Sequence, residues 1–221
     1  SIKIDENVKY KLGAPEILLN KEYEELVNKR TKNGERLIAF VEVKNDETIP
    51  ILFISLKNEI RKNAKEIFGF FDNRNVQIRV ISGDNPINVS SITKQARIKG
   101  YEKYIDCREL KNYADIQKAV KKYVIFGRVN PEQKRQIIKA LKETGSKVAM
   151  TGDGVNDILA MKEADCSIAI GSGADAARET AQVVLLDSDF GKMRNIVYEG
   201  RKNINNITRS ASLFTYKNIF S

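Results

Sequence analysis

Short strands rich in valine and isoleucine alternate with helical segments from about residue 58 to residue 190. Consecutive parallel strands need a long crossover, which a helix usually supplies, so this alternation predicts a doubly wound α/β fold with a parallel sheet. The predicted strands are Val76–Ile81, a short strand around Tyr104, Val124–Phe126, Lys147–Met150, Ser167–Ile170 and Val183–Leu186. The predicted helices are Asn63–Phe71, Pro86–Ile98, Asp106–Lys121, Pro131–Glu143, one from about Asn156, and Ala174–Thr180.

The segments on either side of this region have different patterns. Residues 1–57 predict a small α/β piece, and its elements are strands at Val8–Leu12, Leu37–Val43 and Ile49–Leu56 and a helix at Lys21–Lys32. Residues 191–221 are basic and helical in pattern, and they become mildly apolar near the end. We therefore divide the chain into regions 1–57, 58–190 and 191–221.

Composition excludes several kinds of chemistry. The sequence contains no histidine, which removes histidine bases and ligands, so a bound metal must be held by oxygen, as Mg²⁺ or Ca²⁺ is. Its two cysteines, Cys107 and Cys166, are far apart and favour a reducing compartment over a disulfide framework. No apolar run approaches the length of a membrane-spanning helix, so we expect a soluble, intracellular segment.

The net charge of +9 favours anionic partners, which include nucleotides, nucleic acids and membrane surfaces. Lysine and arginine are spread over most of the predicted helices and form no recognition motif. We therefore expect no nucleic-acid partner, and a nucleic-acid-binding module is kept as an alternative.

Two polar clusters directly follow predicted strands, where ligands of doubly wound sheets bind. Ser82-Gly83-Asp84 follows the first strand and could equally be an ordinary turn. The second cluster runs from Arg128 to Lys134, and Lys134 lies in the first turn of a predicted helix. A lysine there opposes the helix dipole but suits a bound phosphate.

The third cluster, Thr151-Gly152-Asp153-Gly154-Val155-Asn156-Asp157, is the most specific. Its glycines allow a ligand to approach the backbone, and Asp157 lies one helical turn from Asp153. Mg²⁺ commonly takes one or two carboxylates together with water and a phosphate oxygen. The three clusters together predict a Mg²⁺–phosphoryl site.

A competing motif, Gly171-Ser172-Gly173-Ala174-Asp175-Ala176, is similar to the fingerprint of dinucleotide-binding folds. That fingerprint normally belongs to the first βα unit, whereas here it falls among the last. It would also leave the cluster around Asp153 unexplained. An NAD(P)-binding domain is retained as an alternative.

The ordered clusters resemble the cytoplasmic part of a P-type (E1–E2) cation-transporting ATPase. The segment Thr151 to Asp157 resembles the hinge motif of that family, and Ser82-Gly83-Asp84-Asn85 resembles its Thr-Gly-Asp motif. Further segments with this resemblance are Phe126 to Val129, Pro131 to Lys134, Gly13-Ala14-Pro15-Glu16, Gly34-Glu35-Arg36 and Asn58 to Arg61.

The resemblance implies a haloacid-dehalogenase-like domain in which ATP phosphorylates an aspartate and the reaction is coupled to ion transport. Asp153 would bind Mg²⁺, with support from Asp157. The phosphoryl group would be held by Lys134, Ser82, Gly83 and Asn156. The nucleotide would be contacted by Arg36, Arg128, Asp84 and Gly13, although Leu12 replaces the usual lysine.

The Asp-Lys-Thr-Gly-Thr segment that carries the phosphorylated aspartate in this family is absent from the sequence. The resemblance therefore implies a fragment: the end of the nucleotide-binding domain (1–57), the C-terminal part of the phosphorylation domain (58–190) and a stalk helix (191–221). Its partners would be ATP and the rest of the parent, which are the segment with the aspartate, the actuator domain and the membrane helices. The parent would act at the cytoplasmic face of a membrane and move calcium or another hard cation, while the fragment would be inactive.

In the family the strand that carries the aspartate lies between the strands that end at Ser82 and at Thr151. Without it the sheet would have two unpaired edges, so we expect another segment, a second molecule or a distortion to fill the gap. Self-association through these edges is one such outcome. A soluble haloacid-dehalogenase-like phosphatase is a further alternative, but Ile4-Asp5-Glu6 does not supply the Asp-x-Asp motif it needs.

Overall fold

The computed structural model describes residues 2–5, 8–31, 35–44, 47–57 and 59–220. The strands are β1 (Ile2–Asp5), β2 (Val8–Gly13), β3 (Glu35–Lys44), β4 (Glu47–Lys57), β5 (Val80–Ile81), β6 (Tyr104–Asp106), β7 (Ile125–Gly127), β8 (Ala149–Gly152), β9 (Cys166–Ile170) and β10 (Val183–Leu185). The helices are α1 (Pro15–Leu18), α2 (Glu24–Thr31), α3 (Ala64–Asp72), α4 (Pro86–Gln95), α5 (Tyr113–Lys122), α6 (Pro131–Glu143), α7 (Ile158–Glu163), α8 (Asp175–Thr180) and α9 (Met193–Phe220).

The chain divides into two compact units, residues 1–147 and 148–221. This boundary differs from the predicted ones at 57/58 and 190/191. Those boundaries separate regions of different proposed role, and they stay predictions.

The first unit begins with an antiparallel sheet in the order β1-β2-β3-β4. Helices α1 and α2 contact β3. Leu37, Ala39 and Val41 alternate along β3 and are buried, as is Val27 of α2. This alternation places the core of the region on one face of β3.

A parallel sheet in the order β5-β7-β6 completes the first unit. Its central strand is hidden from solvent, and Ile125 and Phe126 are both 0% exposed. Helices α5 and α6 pack against each other, and Ile116 and Ile137 from them belong to the same buried cluster as Phe126. The central strand therefore ends inside the core, with its following loop at the carboxyl edge of the sheet.

The second unit holds a parallel sheet in the order β10-β9-β8. Ile168 and Ala169 of the central strand are buried, as are Ala160 of α7 and Ala177 of α8. The 28-residue helix α9 follows the sheet. In the described part of the chain, no helix combines the length and the apolar character needed to cross a membrane.

The predicted α/β fold with parallel strands is confirmed, but some bounds were wrong. The strand predicted over Val76–Ile81 is shorter in the structure. Only Val80 and Ile81 pair with β7, opposite Ile125 and Phe126. The single helix predicted over Asp106–Lys121 is broken: a short 3₁₀ turn is followed by Asn112, whose side chain caps α5. Strand β1 was not predicted.

Strands β5 and β8 belong to different sheets, and each lies at a sheet edge. Direct, regular pairing of β5 with β8 would have refuted the expectation of unpaired edges. No such pairing occurs among the described residues. Within those residues the parallel strands form two three-stranded sheets.

Candidate functional site

The loop after β5 presents Ser82, Gly83 and Asp84 at the carboxyl edge of the first parallel sheet. The Ser82 amide donates to the carbonyl of Phe126 at 2.9 Å, which extends the pairing of β5 with β7. The Asp84 amide donates to Ser82 Oγ at 3.1 Å. This turn fixes the hydroxyl at the end of the strand and leaves Gly83 exposed.

Two backbone hydrogen bonds join this loop to the loop after β7. The Arg128 amide donates to the carbonyl of Asp84 at 2.9 Å, and the Val129 amide donates to the carbonyl of Ser82 at 3.0 Å. The first two predicted clusters therefore lie side by side within one unit.

Helix α6 starts directly after these bonds. The Asn130 side chain accepts from the Gln133 amide at 2.8 Å, and the Gln133 side chain accepts from the Asn130 amide at 3.2 Å. This reciprocal cap fixes the first turn, which carries the half-buried Lys134. A cation at the positive end of a helix is unfavourable for stability alone, so its position suits a bound anion.

The Arg128 guanidinium joins two distant carboxylates of the same unit. It contacts Asp106 Oδ2 at 2.7 Å and Glu16 Oε1 at 2.9 Å. Arg128 has a φ of 52°, a left-handed conformation that is uncommon outside glycine. The two ion pairs, one from each terminal nitrogen, hold its side chain, which is 19% exposed.

Both carboxylates that bind Arg128 have lowered pKa values. Burial opposes the ionisation of Asp106, but hydrogen bonds from Arg108 and Arg128 outweigh it and bring its pKa to about 2. Burial also opposes the ionisation of Glu16, and hydrogen bonds from its own backbone amide, from Asn85 and from Arg128 lower its pKa nonetheless. Sequence reasoning missed Glu16 and Asp106 as partners of Arg128. They lie 112 and 22 residues away from it in the chain, and no local sequence pattern indicates contacts over such separations.

Asn88 is a further residue that sequence reasoning missed. It is 4% exposed, and its Oδ1 has no hydrogen-bond partner among the described residues. It lines a cavity of about 490 Å³ that also contacts Gly83, Asp84 and Arg128. The available signal was its position in the first turn of the helix that follows the Ser82-Gly83-Asp84 cluster.

The third cluster belongs to the second unit. Asp153 is exposed after β8, whereas Asp157 is 8% exposed. Asp157 Oδ2 accepts from the amides of Asp153 and Gly154 at 3.3 and 3.4 Å. Two carboxylates thus lie on one short loop, and hard oxygen donors of this kind suit Mg²⁺.

The described residues contain no group of three or more acidic or cysteine side chains that could hold a metal ion. A site with two carboxylates is still adequate for Mg²⁺, which usually keeps several waters. The donor set therefore fits Mg²⁺ better than an ion that needs a full protein cage.

Glycines around this loop are explained by close packing. A Cβ on Gly152 would lie 2.5 Å from the Cβ of Asp157, and one on Gly173 would lie 2.5 Å from the carbonyl oxygen of Asp153. A Cβ on Gly171 would lie 2.4 Å from the carbonyl oxygen of Leu186. The glycines that resemble a dinucleotide fingerprint are thus required by contacts within the protein.

The remaining predicted site residues have the following positions. Asn156 is exposed in the 3₁₀ turn Val155–Asp157, and Gly13 ends β2. Arg36 lies in β3, but its side chain lies outside the described part of the structure, as do Gly34 and Asn58. Ser82, Gly83, Asp84, Arg128 and Lys134 lie in the first unit, and Asp153, Asn156 and Asp157 lie in the second.

Comparison with known proteins identifies relatives of this chain. Residues 3–165 match the family model described as haloacid dehalogenase-like hydrolase. The chain is 40% identical over 220 residues to a probable cation-transporting ATPase, exp7, of Streptococcus pneumoniae. This alignment covers 95% of the present chain and 28% of the relative. It is 41% identical over 176 residues to the calcium-transporting ATPase CtpE of Mycobacterium bovis. That alignment covers 79% of the present chain and 22% of the relative.

A solved structure has the same fold. It is a zinc-transporting PIB-type ATPase in its E2.Pi state, with a TM-score of 0.62 and 22% identity, and the match covers 93% of this chain and 29% of that one. The chain spans less than a third of the length of these relatives. By sequence and by fold, it belongs to the haloacid dehalogenase-like hydrolase family, with its relatives among the cation-transporting P-type ATPases.

Proposed function

We propose that this chain is part of an ATP-driven cation pump that works through an aspartyl-phosphate intermediate. The segment that carries the acceptor aspartate in such pumps is not among the 221 residues. The chain therefore supplies groups that bind the phosphoryl group, Mg²⁺ and part of the nucleotide. The observation that carries the proposal is the pair of backbone hydrogen bonds that set the Ser82 loop beside the loop leading into α6.

The first unit binds the phosphoryl group. The Ser82 hydroxyl and the Gly83 amide donate to phosphoryl oxygens, and the Lys134 ammonium neutralises their charge. The fixed first turn of α6 adds the positive end of a helix dipole. Backbone hydrogen bonds fix the two loops and the first turn of α6 before a ligand arrives, which lowers the cost of ordering this backbone on binding.

The second unit binds the metal. Asp153 would be the direct Mg²⁺ ligand, and Asp157 would orient the loop through its bonds to the two amides, with Asn156 as a further polar contact to the phosphoryl group. When bound there, Mg²⁺ would supply the positive charge that offsets the negative charge developing on the phosphoryl oxygens during transfer. Arg36, Asp84, Arg128 and Gly13 would contact ATP.

The partners of the parent follow from the same reasoning. The remaining segments of the pump would complete the two parallel sheets, and a second copy of the chain could occupy the same edges by self-association. The pump would lie in a membrane with this chain on the cytoplasmic face. We propose calcium or another hard cation as the transported ion, because the sequence has no soft-metal cysteine cluster and one relative is named a calcium transporter.

The binding role is tested by titrating inorganic phosphate in the presence of Mg²⁺ and measuring the affinity calorimetrically. Lys134→Ala and Asp153→Asn should each weaken binding about tenfold or more, since each removes a charged contact. Lys139→Ala is the matched control, because it removes a lysine from the same helix away from its first turn. Equal affinity in Lys134→Ala and Lys139→Ala would contradict the assignment.

The absent acceptor is tested with γ-labelled ATP. The chain should form no acid-stable phosphoprotein, and it should show no Mg²⁺-dependent phosphatase turnover. Robust labelling would mean that another residue accepts the phosphoryl group. Turnover abolished by Asp153→Asn would favour the soluble phosphatase instead.

A further inference from the structure

A cavity of about 300 Å³ lies at the amino ends of β5 and β7. Its wall includes α3, the segment Val76–Arg79 that leads into β5, and the segment Arg97–Lys99 that follows α4. Ser82 and Arg128 follow the carboxyl ends of the same two strands. The cavity is therefore separate from the proposed phosphoryl site.

The cavity wall carries an excess of positive charge. Arg79, Arg97 and Lys99 line it, and the one acidic residue in its lining is Asp72. Lys99 Nζ forms an ion pair with Asp72 Oδ2 at 2.7 Å. The lining therefore keeps a net charge of +2, carried by the two guanidinium groups.

Arg79 is the least satisfied of these cations. It is half-buried, and its Nε is buried without a hydrogen-bond acceptor among the described residues. Its terminal nitrogen donates to Gln77 Oε1 at 3.2 Å, and no described carboxylate lies within ion-pair distance. Burial lowers the pKa of Arg79, as expected for a cation without a compensating charge.

A guanidinium nitrogen that is buried without an acceptor is costly, so the buried Nε of Arg79 needs a reason. Cations near the C-terminus of a helix are stabilised by the helix dipole, and Arg97 and Lys99 follow α4. That explanation does not extend to Arg79, which enters the cavity from the strand side. Arg97 also has a left-handed φ of 61°, so the turn that carries it is held in an uncommon conformation.

We propose that this cavity binds a small tetrahedral oxyanion, of which phosphate is the simplest, with Arg79 as the anchor and Arg97 as the second cation. An oxyanion would accept from the Arg79 Nε and from a terminal nitrogen in the forked geometry that arginine offers. The volume is large enough for a phosphate that carries a small substituent. The same chemistry could come from a free anion or from the headgroup of an acidic lipid.

The test is a site-resolved NMR titration of the 221-residue chain with sodium phosphate at constant ionic strength, with EDTA and without Mg²⁺. The Nε–Hε signal of Arg79 and the amide of Arg97 should shift and saturate, whereas sodium chloride alone should leave them unchanged. In Arg79→Gln the phosphate affinity read from the Arg97 amide should fall about tenfold or more. Arg79→Lys should give an intermediate affinity, because it keeps the charge and loses the fork.

Arg201→Gln is the control, since it removes an equal charge from the exposed helix α9 and should leave the titration unchanged. Melting temperatures without phosphate should show that Arg79→Gln is folded, because it removes a half-buried cation whose Nε has no acceptor in the described part of the chain. Phosphatidylcholine vesicles with and without phosphatidylglycerol form the second arm. Binding that depends on phosphatidylglycerol and Arg79, without saturation by free phosphate, assigns the site to a lipid headgroup. Identical titrations for the wild type and Arg79→Gln, or no response to either ligand, would overturn the proposal.

Discussion

Asp106→Asn tests the ion cluster around Arg128. Asp106 has its pKa lowered from 3.8 to about 2 in the folded state. Each pKa unit corresponds to about 1.4 kcal/mol, so the charged form contributes on the order of 2 kcal/mol to the free energy of unfolding. The amide cannot form the charge-assisted contacts to Arg108 and Arg128, and the variant should lose stability of this order at pH 7.

The direction of the pKa shift determines how the stability difference between the wild type and Asp106→Asn changes with pH. A carboxylate with a depressed folded-state pKa stabilises the protein above its unfolded pKa, and the stabilisation disappears as the pH falls toward the folded value. The difference between the wild type and Asp106→Asn should therefore be constant from pH 7 to about pH 5 and shrink between about pH 4 and pH 2.

The assay is urea unfolding followed by circular dichroism, because the sequence contains no tryptophan. Glu132→Gln is the control, since it breaks an exposed pair with Arg135 and should leave stability nearly unchanged. Equal stability of the wild type and Asp106→Asn at pH 7 would refute the reasoning. So would a difference that persists undiminished to pH 2.

The remaining predictions concern local packing, capping and thiol reactivity. Gly127→Ala should destabilise the first unit in urea unfolding, because the new Cβ would lie 2.6 Å from the backbone of the proline that begins α4. Gly69→Ala has open space around it in α3, so it should raise the free energy of unfolding by up to about 1 kcal/mol. Asn130→Ala should cost about 1 kcal/mol in the same assay, because it removes the cap of α6. Iodoacetamide at pH 8, followed by peptide mass spectrometry, should modify Cys166 before Cys107, because burial and nearby acidic groups raise the pKa of Cys107 to about 12; equal rates at the two sites would contradict this.

Local chemistry made much of the fold predictable. Short stretches rich in apolar residues predicted β3 and β9, and asparagine followed by proline lies at the predicted starts of α4 and α6. These signals act over one or two turns, so they can be read without knowing the fold. The loops that follow the parallel strands, with Ser82, Arg128 and Asp153, were predictable for the same reason.

Other features depend on partners that are far apart in the sequence. Val76–Arg79 has the composition of a strand, but the ladder stops where β7 no longer offers a partner. The sequence predicts Asp106 as the start of a helix, but in the structure its carboxylate binds Arg128, which lies 22 residues away. The burial of Asn88 and of the Arg79 Nε likewise depends on neighbouring elements of the fold.

The sequence by itself therefore determined the order of the elements and the residue types at the strand ends, because periodicity and capping act within one or two turns of the chain. Only the tertiary structure decided which strands pair, which carboxylates hold Arg128, and which polar groups lose water. Those outcomes depend on contacts between distant segments, and the free energy of such contacts is set by distance and burial in the folded chain.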